Sequence, residues 1–367
     1  MNDAMYMSKA IELARKGCGY TNPNPMVGAV IVKNDKIIGS GYHEMYGKLH
    51  AERNALASCS ESAVGATMYV TLEPCCHYGK TPPCTEAIIE NRLAKVVIGS
   101  RDPNPKVSGK GARILEDNGI TIVRDFMRKE CDEINPVFFH YITNKTPFVV
   151  MKYAMTMDGK IATYTNESKW ITGEAARENV HKDRHRYAGI MVGVGTVLTD
   201  DPLLTCRLEG GINPVRIICD TNLQTPLTSN VVKTTDEAAT IIATASTDRG
   251  KIEKYIDKKC KIITVSKDSN GHIDLKQLMT KLGAESIDSI LLEGGSTLNW
   301  SALEAKVVNK VQAYIAPKIF GSQNAKSPVG GMGVSLPSQG IILENSRIYH
   351  FGNDIMIESE VKPCSQE

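Results

Sequence analysis

Three metal-binding side chains at fixed spacing constrain this chain more than any other feature: His50, Cys75 and Cys84, with Glu52 two residues beyond the histidine and Pro74 directly before the first cysteine. They must converge if they serve one ion, so the segments that carry them must pack together. One imidazole and two thiolates give zinc three ligands and leave its fourth tetrahedral position for water. Bound zinc lowers the pKa of that water toward roughly 7, which makes hydroxide available at neutral pH. Glu52 is not needed as a ligand, and a carboxylate there is free to move protons. A closed structural zinc site would need a fourth ligand, which Cys76 or His77 is able to supply. The catalytic alternative is favoured because Pro74-Cys75 closely follows an apolar, β-prone run at residues 66–71.

The 367 residues exceed one ordinary domain, and two is the natural expectation. With 43 basic and 41 acidic residues the net charge is +2, and no block of like charge stands out. That argues against nucleic acid or a membrane surface as the main partner. The ten cysteines form no spaced disulfide framework, and no run approaches ~18 apolar residues. The start, Met1-Asn2-Asp3-Ala4-Met5, has neither a basic n-region nor an apolar h-region. A reducing, cytoplasmic setting is expected, with thiolates available for metal.

The pattern predicts helices over residues 5–17, 51–58, 85–91 and 111–118, with strands near 27–32, 37–41, 69–72 and 95–99. A hairpin turns at Asn34-Asp35, and His50 and Glu52 fall at a helix N-terminus. Such alternation predicts an α/β sandwich around a mixed sheet. The polar stretch 141–147, ending in Pro147, is taken as a linker between domains at 1–144 and 145–367. A second α/β series begins at Phe148.

His50-x-Glu52 followed by Pro74-Cys75 and Cys84 is the pattern of a zinc hydrolytic deaminase, but eight residues separate the cysteines where the usual motif has two. Ahead of it, Thr21-Asn22-Pro23-Asn24-Pro25 is stiffened by two prolines, so Asn24 can offer an amide donor and acceptor in a fixed pose. With Gly41-Tyr42-His43, this set resembles the cytidine-deaminase superfamily. The insert ending His77-Tyr78-Gly79-Lys80-Thr81-Pro82-Pro83-Cys84, and then Arg101-Asp102-Pro103-Asn104-Pro105, resembles the deaminase half of the bifunctional riboflavin-biosynthesis deaminase/reductases. The resemblance implies a diaminopyrimidinone ribotide as substrate, a cytidine-deaminase-like three-layer sandwich, and substrate contacts from Asn24, His43, Lys80, Asp102 and Asn104. The family commonly has a small hydroxyl residue where this chain has Cys76, which leaves that thiol's role open.

The second half carries Lys152-Tyr153-Ala154-Met155-Thr156-Met157-Asp158-Gly159-Lys160, Ser168-Lys169-Trp170, Arg184, Val192-Gly193-Val194-Gly195-Thr196 and Asp200 through Arg207. It closes on Leu291-Leu292-Glu293-Gly294-Gly295-Ser296, an apolar strand passing through glycines into a predicted helix, whose first N–H groups suit a phosphate. Gly193-x-Gly195 lacks the third glycine of the dinucleotide fingerprint, so a Rossmann domain is disfavoured. The ordered set resembles the dihydrofolate-reductase-like domain of the same family. That implies NADPH and reduction of the ribosyl group to ribityl. By resemblance Lys152, Ser168, Arg184, Leu204, Arg207 and Glu293 meet the substrate. Ala154, Trp170, Thr196, Asp200, Gly295, Ser296, Thr297, Leu298 and Asn299 meet the cofactor. Lys152 or Asp200 assists protonation of the opened sugar imine.

A homo-oligomeric enzyme acting on a small pyrimidine ribotide is therefore expected. Two other readings are a deaminase of tRNA or nucleosides with a divergent C-terminal domain, and a zinc-stabilised binding module without turnover. The first calls for a basic, aromatic-rich surface, and aromatic residues are only 6% of the chain.

Overall fold

A computed structural model describes residues 3–104 and 107–362, so Met1, Asn2, Pro105, Lys106 and the last five residues lie outside the described residues. The chain divides into two units, Met1–Lys145 and Thr146–Glu367.

The first unit opens with α1 (Asp3–Arg15), followed by β1 (Gly28–Lys33) and β2 (Lys36–Tyr42). Asn34 and Asp35 join these strands with both φ angles positive, 49° and 60°. Consecutive left-handed residues give a two-residue turn the twist of its strands, and Asn and Asp tolerate that region. Then come α2 (Ala51–Ala57), β3 (Thr67–Leu72), α3 (Cys84–Glu90), β4 (Lys95–Ser100), α4 (Lys110–Asp117), β5 (Thr121–Val123), α5 (Arg128–Asp132) and α6 (Pro136–Asn144). The sheet order is β2-β1-β3-β4-β5, antiparallel on the β2 side and parallel from β3 to β5. Along β1, Ala29 and Ile31 pack with Ala51 and Ala55 of α2, Ile88 of α3 and Leu115 of α4. Val30 and Val32 pack instead with Met7 and Ala10 of α1 and with Cys131 of α5. The two-residue period of the strand thus feeds two cores, and helices cover both faces.

The segment read as a linker, 141–147, begins inside α6, which runs to Asn144. Its polar residues mark a helix end, with Lys145 in the left-handed conformation as the C-cap.

In the second unit β6 (Phe148–Thr156) leads to α7 (Glu174–Arg186), β7 (Gly189–Gly193), α8 (Val194–Asp200), β8 (Val215–Cys219) and α9 (Asn230–Lys233). After these follow β9 (Thr240–Thr244), α10 (Arg249–Ile256), β10 (Lys261–Thr264), α11 (Leu275–Ala284), β11 (Ser289–Leu292), α12 (Ser296–Glu304), β12 (Lys310–Ala316), β13 (Leu343–Phe351) and β14 (Asp354–Val361). The order is β10-β9-β8-β7-β11-β6-β12-β14-β13; it is parallel from β10 to β12, and the last two strands run antiparallel. Parallel strands buried on both faces read as unbroken apolar runs, as Ile290-Leu291-Leu292 of β11 does, every residue of it buried. Among the described residues no helix is long and apolar enough to cross a membrane, and the cysteines are free.

Candidate active sites

In the first unit, β3 ends just before Glu73-Pro74-Cys75, while α2 and α3 begin at the other two metal-binding residues. His50 is the N-cap of α2 and Cys84 the first residue of α3. The helices thereby bring His50, Cys75 and Cys84 together, their donor atoms all within 4.8 Å of one another. Both Sγ atoms lie 3.4 Å from His50 Nδ1. Bond lengths of about 2.3 Å to sulfur and 2.05 Å to nitrogen at tetrahedral angles give an S···N edge of about 3.5 Å, so the triad fits zinc. Cys76 and His77, the other conceivable ligands, are not in this group.

Hydrogen bonding from Cys84 holds the Cys75 thiol well below its usual range against the cost of burial, and the same contact together with burial pushes Cys84 up. Two thiolates this close repel, and a dication between them removes the conflict. Glu52 is buried in the first turn of α2, where burial, and then the Cys75 charge, push its carboxyl up to about 7.

A cleft of about 330 Å³ adjoins the triad. Its wall includes all five residues expected at the substrate: Asn24, His43, Lys80, Asp102 and Asn104. His43 is buried and acts as a neutral imidazole, with Nδ1–H donating to the Leu49 carbonyl (3.0 Å) and Nε2 accepting from the Asn24 amide (3.3 Å). Burial lowers its pKa. One amide hydrogen and the carbonyl of Asn24 are left for a base edge. Lys80 Nζ sits 3.9 Å from the Tyr46 ring centroid. Burial raises the Asp102 carboxyl to about 6, even though its Oδ1 accepts the Asn104 N–H at 2.8 Å. Pro105 of that motif lies outside the described residues.

Sequence reasoning passed over Arg53, whose guanidinium donates to the carbonyls of Pro82 (3.2 Å) and Pro83 (2.8 Å) and so clamps the insert that ends at Cys84. Its place beside Glu52 was the available clue.

In the second unit a cavity of about 690 Å³ lies where β6, β7, β8 and β11 end, the edge at which open α/β sheets bind ligands. Lys152, Ala154, Ser168, Thr196, Asp200 and Glu293 line it, as does the whole 295–299 segment. Gly295 is the N-cap of the nine-residue α12. Asn299 is buried, with Nδ2 donating to the Pro328 carbonyl (2.9 Å) while Oδ1 has no partner. The size, a helix N-terminus and an unpartnered buried acceptor fit a dinucleotide carrying a carboxamide.

Glu293 and Arg184 form a two-pronged ion pair (2.8 and 2.9 Å), both side chains largely buried. Burial alone would raise the Glu293 carboxyl, but the charges of Arg184 and Lys152 outweigh it and hold the group at about 2. Burial draws Lys152 below the usual lysine range against the pull of Glu293.

Four expected residues stand apart from the cavity wall. Arg184 is taken up by Glu293 and by the Thr205 carbonyl (3.1 Å). Arg207 is exposed two residues further on. The Leu204 side chain is buried among Ile190, Val192 and Ile218, so any substrate contact falls to its main chain. Trp170 is 58% exposed and lies 4.6 Å from the Arg177 guanidinium. Conversely Thr221, Asn222, Gln224, His272 and Lys326 line the cavity without a local sequence pattern to announce them.

The profile of the RibD C-terminal domain matches residues 147–357, and that of the cytidine and deoxycytidylate deaminase zinc-binding region matches residues 1–100. The riboflavin biosynthesis protein RibD of Actinobacillus pleuropneumoniae is 52% identical over 98% of this chain and 95% of its own length. The Escherichia coli (strain K12) protein of the same name is 38% identical over 88% and 89%. Among solved structures, Acinetobacter baumannii RibD, form 1, matches at a TM-score of 0.89 and 33% identity, covering 98% of this chain and 99% of that one. A Thermotoga maritima diaminohydroxyphosphoribosylaminopyrimidine deaminase/5-amino-6-(5-phosphoribosylamino)uracil reductase matches at 0.85 and 37%, with the same coverage.

Proposed function

This chain belongs to the RibD family of riboflavin biosynthesis proteins, and from that premise we propose where each of its two reactions takes place and which residues serve it. It is a bifunctional enzyme of the riboflavin pathway, a zinc-dependent pyrimidine deaminase with a cytidine-deaminase-like fold joined to a dihydrofolate-reductase-like reductase that uses a nicotinamide cofactor. We assign deamination of 2,5-diamino-6-ribosylamino-4(3H)-pyrimidinone 5′-phosphate to residues 1–144. Reduction of the ribosyl group to ribityl, with NADPH as donor, is assigned to residues 145–367. A cytoplasmic homo-oligomer that binds neither nucleic acid nor membrane completes the proposal. The observation that carries it is the 3.4 Å spacing of both thiols from His50 Nδ1, at one end of a cleft that holds Glu52 and all five expected substrate residues.

Zinc, when bound, supplies an acidified water. Glu52, its carboxyl raised to about 7, is suited at neutral pH to take a proton from the attacking water and give it to the ring nitrogen, then to take the hydroxyl proton of the resulting adduct and give it to departing ammonia. Asn24, fixed by neutral His43, presents an amide edge to the pyrimidine. Lys80 serves the phosphate or a ring oxygen, and Asp102 with Asn104 serves ribose hydroxyls or amino groups.

The nicotinamide cofactor, when bound, supplies a hydride. Ala154, Trp170, Thr196, Asp200 and residues 295–299 are assigned to it, with the start of α12 facing phosphate. On the substrate side, Ser168, Leu204 and Glu293 hold the sugar, while Arg184 and Arg207 serve its phosphate. Ring opening of the ribosylamine gives an imine that becomes more electrophilic once protonated. Lys152, its pKa lowered by burial, is placed to donate that proton, with Asp200 as the other donor on the cavity wall.

Arg207→Ala tests the division of labour. Its KM for deaminated ribotide in NADPH oxidation should rise by the equivalent of about 1.5–3 kcal/mol, the usual worth of a hydrogen bond to a charged group. Ammonia release by the same protein should match the unaltered enzyme. An unchanged reductase KM would remove Arg207 from the substrate site.

A further inference from the structure

Glu73 stands directly before Pro74-Cys75, is 6% exposed, and is assigned no chemistry by the deaminase reading. Both oxygens of its carboxylate are nevertheless engaged. Oε2 accepts the Gly109 N–H at 3.0 Å and Oε1 accepts the Ala112 N–H at 3.2 Å. These are N–H groups of the first turn of α4, whose N-cap, Gly109, has a left-handed backbone and offers no side-chain acceptor. A helix start leaves such donors unpaired and carries partial positive charge, so a buried carboxylate from another segment both satisfies and neutralises it.

The contact is close as well as polar. A Cβ on Gly111 would lie 2.1 Å from the Pro74 carbonyl oxygen, so the first turn of α4 rests directly on the residue that precedes the metal-binding cysteine. On its other side this turn is continuous with the substrate loop. Lys110 N–H donates to the Val107 carbonyl (2.7 Å), and the N–H groups of Val107 and Ser108 donate to the Asn104 carbonyl (2.8 and 2.9 Å). Asn104 in turn donates its N–H to Asp102. Glu73 also donates its own backbone N–H to the Ser100 carbonyl (3.0 Å), at the point where that loop leaves β4. Glu73 therefore grips both ends of the stretch that carries Asp102 and Asn104, the β4 end through its backbone N–H and the α4 end through its side chain, and does so from the strand end that carries Cys75.

We propose that Glu73 is a positioning residue of the deaminase, holding Asp102 and Asn104 in register with the metal-binding triad and so setting how tightly the ribotide binds. The proposal rests on the deaminase reading given above. A carboxamide has one acceptor oxygen where a carboxylate has two, so E73Q sets an N–H₂ against an N–H at α4 and removes the charge.

The test uses the full-length, zinc-loaded protein with the diaminopyrimidinone ribotide. E73Q is expected to raise KM about tenfold or more, the cost of one broken buried hydrogen bond, with a smaller change in kcat. Zinc stoichiometry and NADPH oxidation with deaminated substrate should stay as in the unaltered enzyme. E73D, which keeps both acceptors on a shorter arm, should fall between the two. Because Glu73 acts through the segment that carries Asp102, the E73Q/D102N double variant should raise KM by less than the product of the single effects. Zinc lost from E73Q, a KM left unchanged, or fully multiplicative effects would each overturn the proposal. An unaltered enzyme that releases no ammonia from the ribotide would instead overturn the deaminase reading.

Discussion

Glu52→Ala is expected to lower ammonia release about 10²–10⁴-fold, the usual contribution of a positioned general acid–base group. Zinc content should not change, because His50, Cys75 and Cys84 meet without it. Glu52 lies in the first turn of α2, where alanine is a good helix former, so the helix that begins at His50 should survive the change. The same protein, given already deaminated ribosylaminouracil phosphate, should oxidise NADPH at the normal rate, since its cavity is lined wholly by residues beyond 150. Metal analysis, ammonia assay and absorbance at the reduced-nicotinamide band together check this. Zinc loss in parallel with activity would make Glu52 structural.

Glu293→Ala should have the largest effect on stability. It strips the partner from Arg184, a charge that stays largely buried, and breaking such a pair costs about 3–5 kcal/mol. Denaturant unfolding followed through the second unit should show it, and reductase activity should be lost as well. The ion pair also predicts a pH dependence. The Glu293 carboxyl sits at about 2 when folded, below its ordinary value, so its contribution is complete above the unfolded pKa of roughly 4.3. That contribution is lost as pH falls from there toward 2. The unaltered protein should therefore weaken over that interval more than Glu293→Ala does. Equal acid sensitivity of the two proteins would show that the pair is not what the acid titrates.

Local rules account for what was legible in the sequence. Asn34-Asp35 announced its hairpin because two left-handed residues are a strong local requirement. His50, Cys75 and Cys84 could be grouped in the sequence because one metal demands that residue set, and Glu52 because it stands two residues from His50. The stretch 141–147 read as a linker contains the division between the units but also the last turn of α6, because a helix end and a domain boundary use the same polar residues around Lys145. Leu204 and Trp170 show a different limit. Resemblance names a position near a ligand, but whether the side chain turns into the core or out to solvent is set by packing across the sheet. Arg53 and Glu73 were missed for a related reason. Their partners are backbone groups 29 to 39 residues away, and an acceptor or donor on the main chain leaves no trace in the pattern of side chains. The lining at Thr221, Asn222 and His272 comes from strand and turn ends that adjoin only because β8 to β10 lie side by side.

Hydrolytic deamination and hydride reduction leave separate isotopic marks on one product. They are read by mass spectrometry of the product formed from the diaminopyrimidinone ribotide in ¹⁸O-water, with NADPH carrying deuterium at the transferred position. One ¹⁸O is expected in the pyrimidine ring carbonyl that replaces the amino group, and one deuterium at C1 of the ribityl chain. Without NADPH the ¹⁸O should appear alone, on an unreduced ribosyl compound. A product with no ring ¹⁸O, or with deuterium anywhere but that sugar carbon, would contradict this pair of reactions.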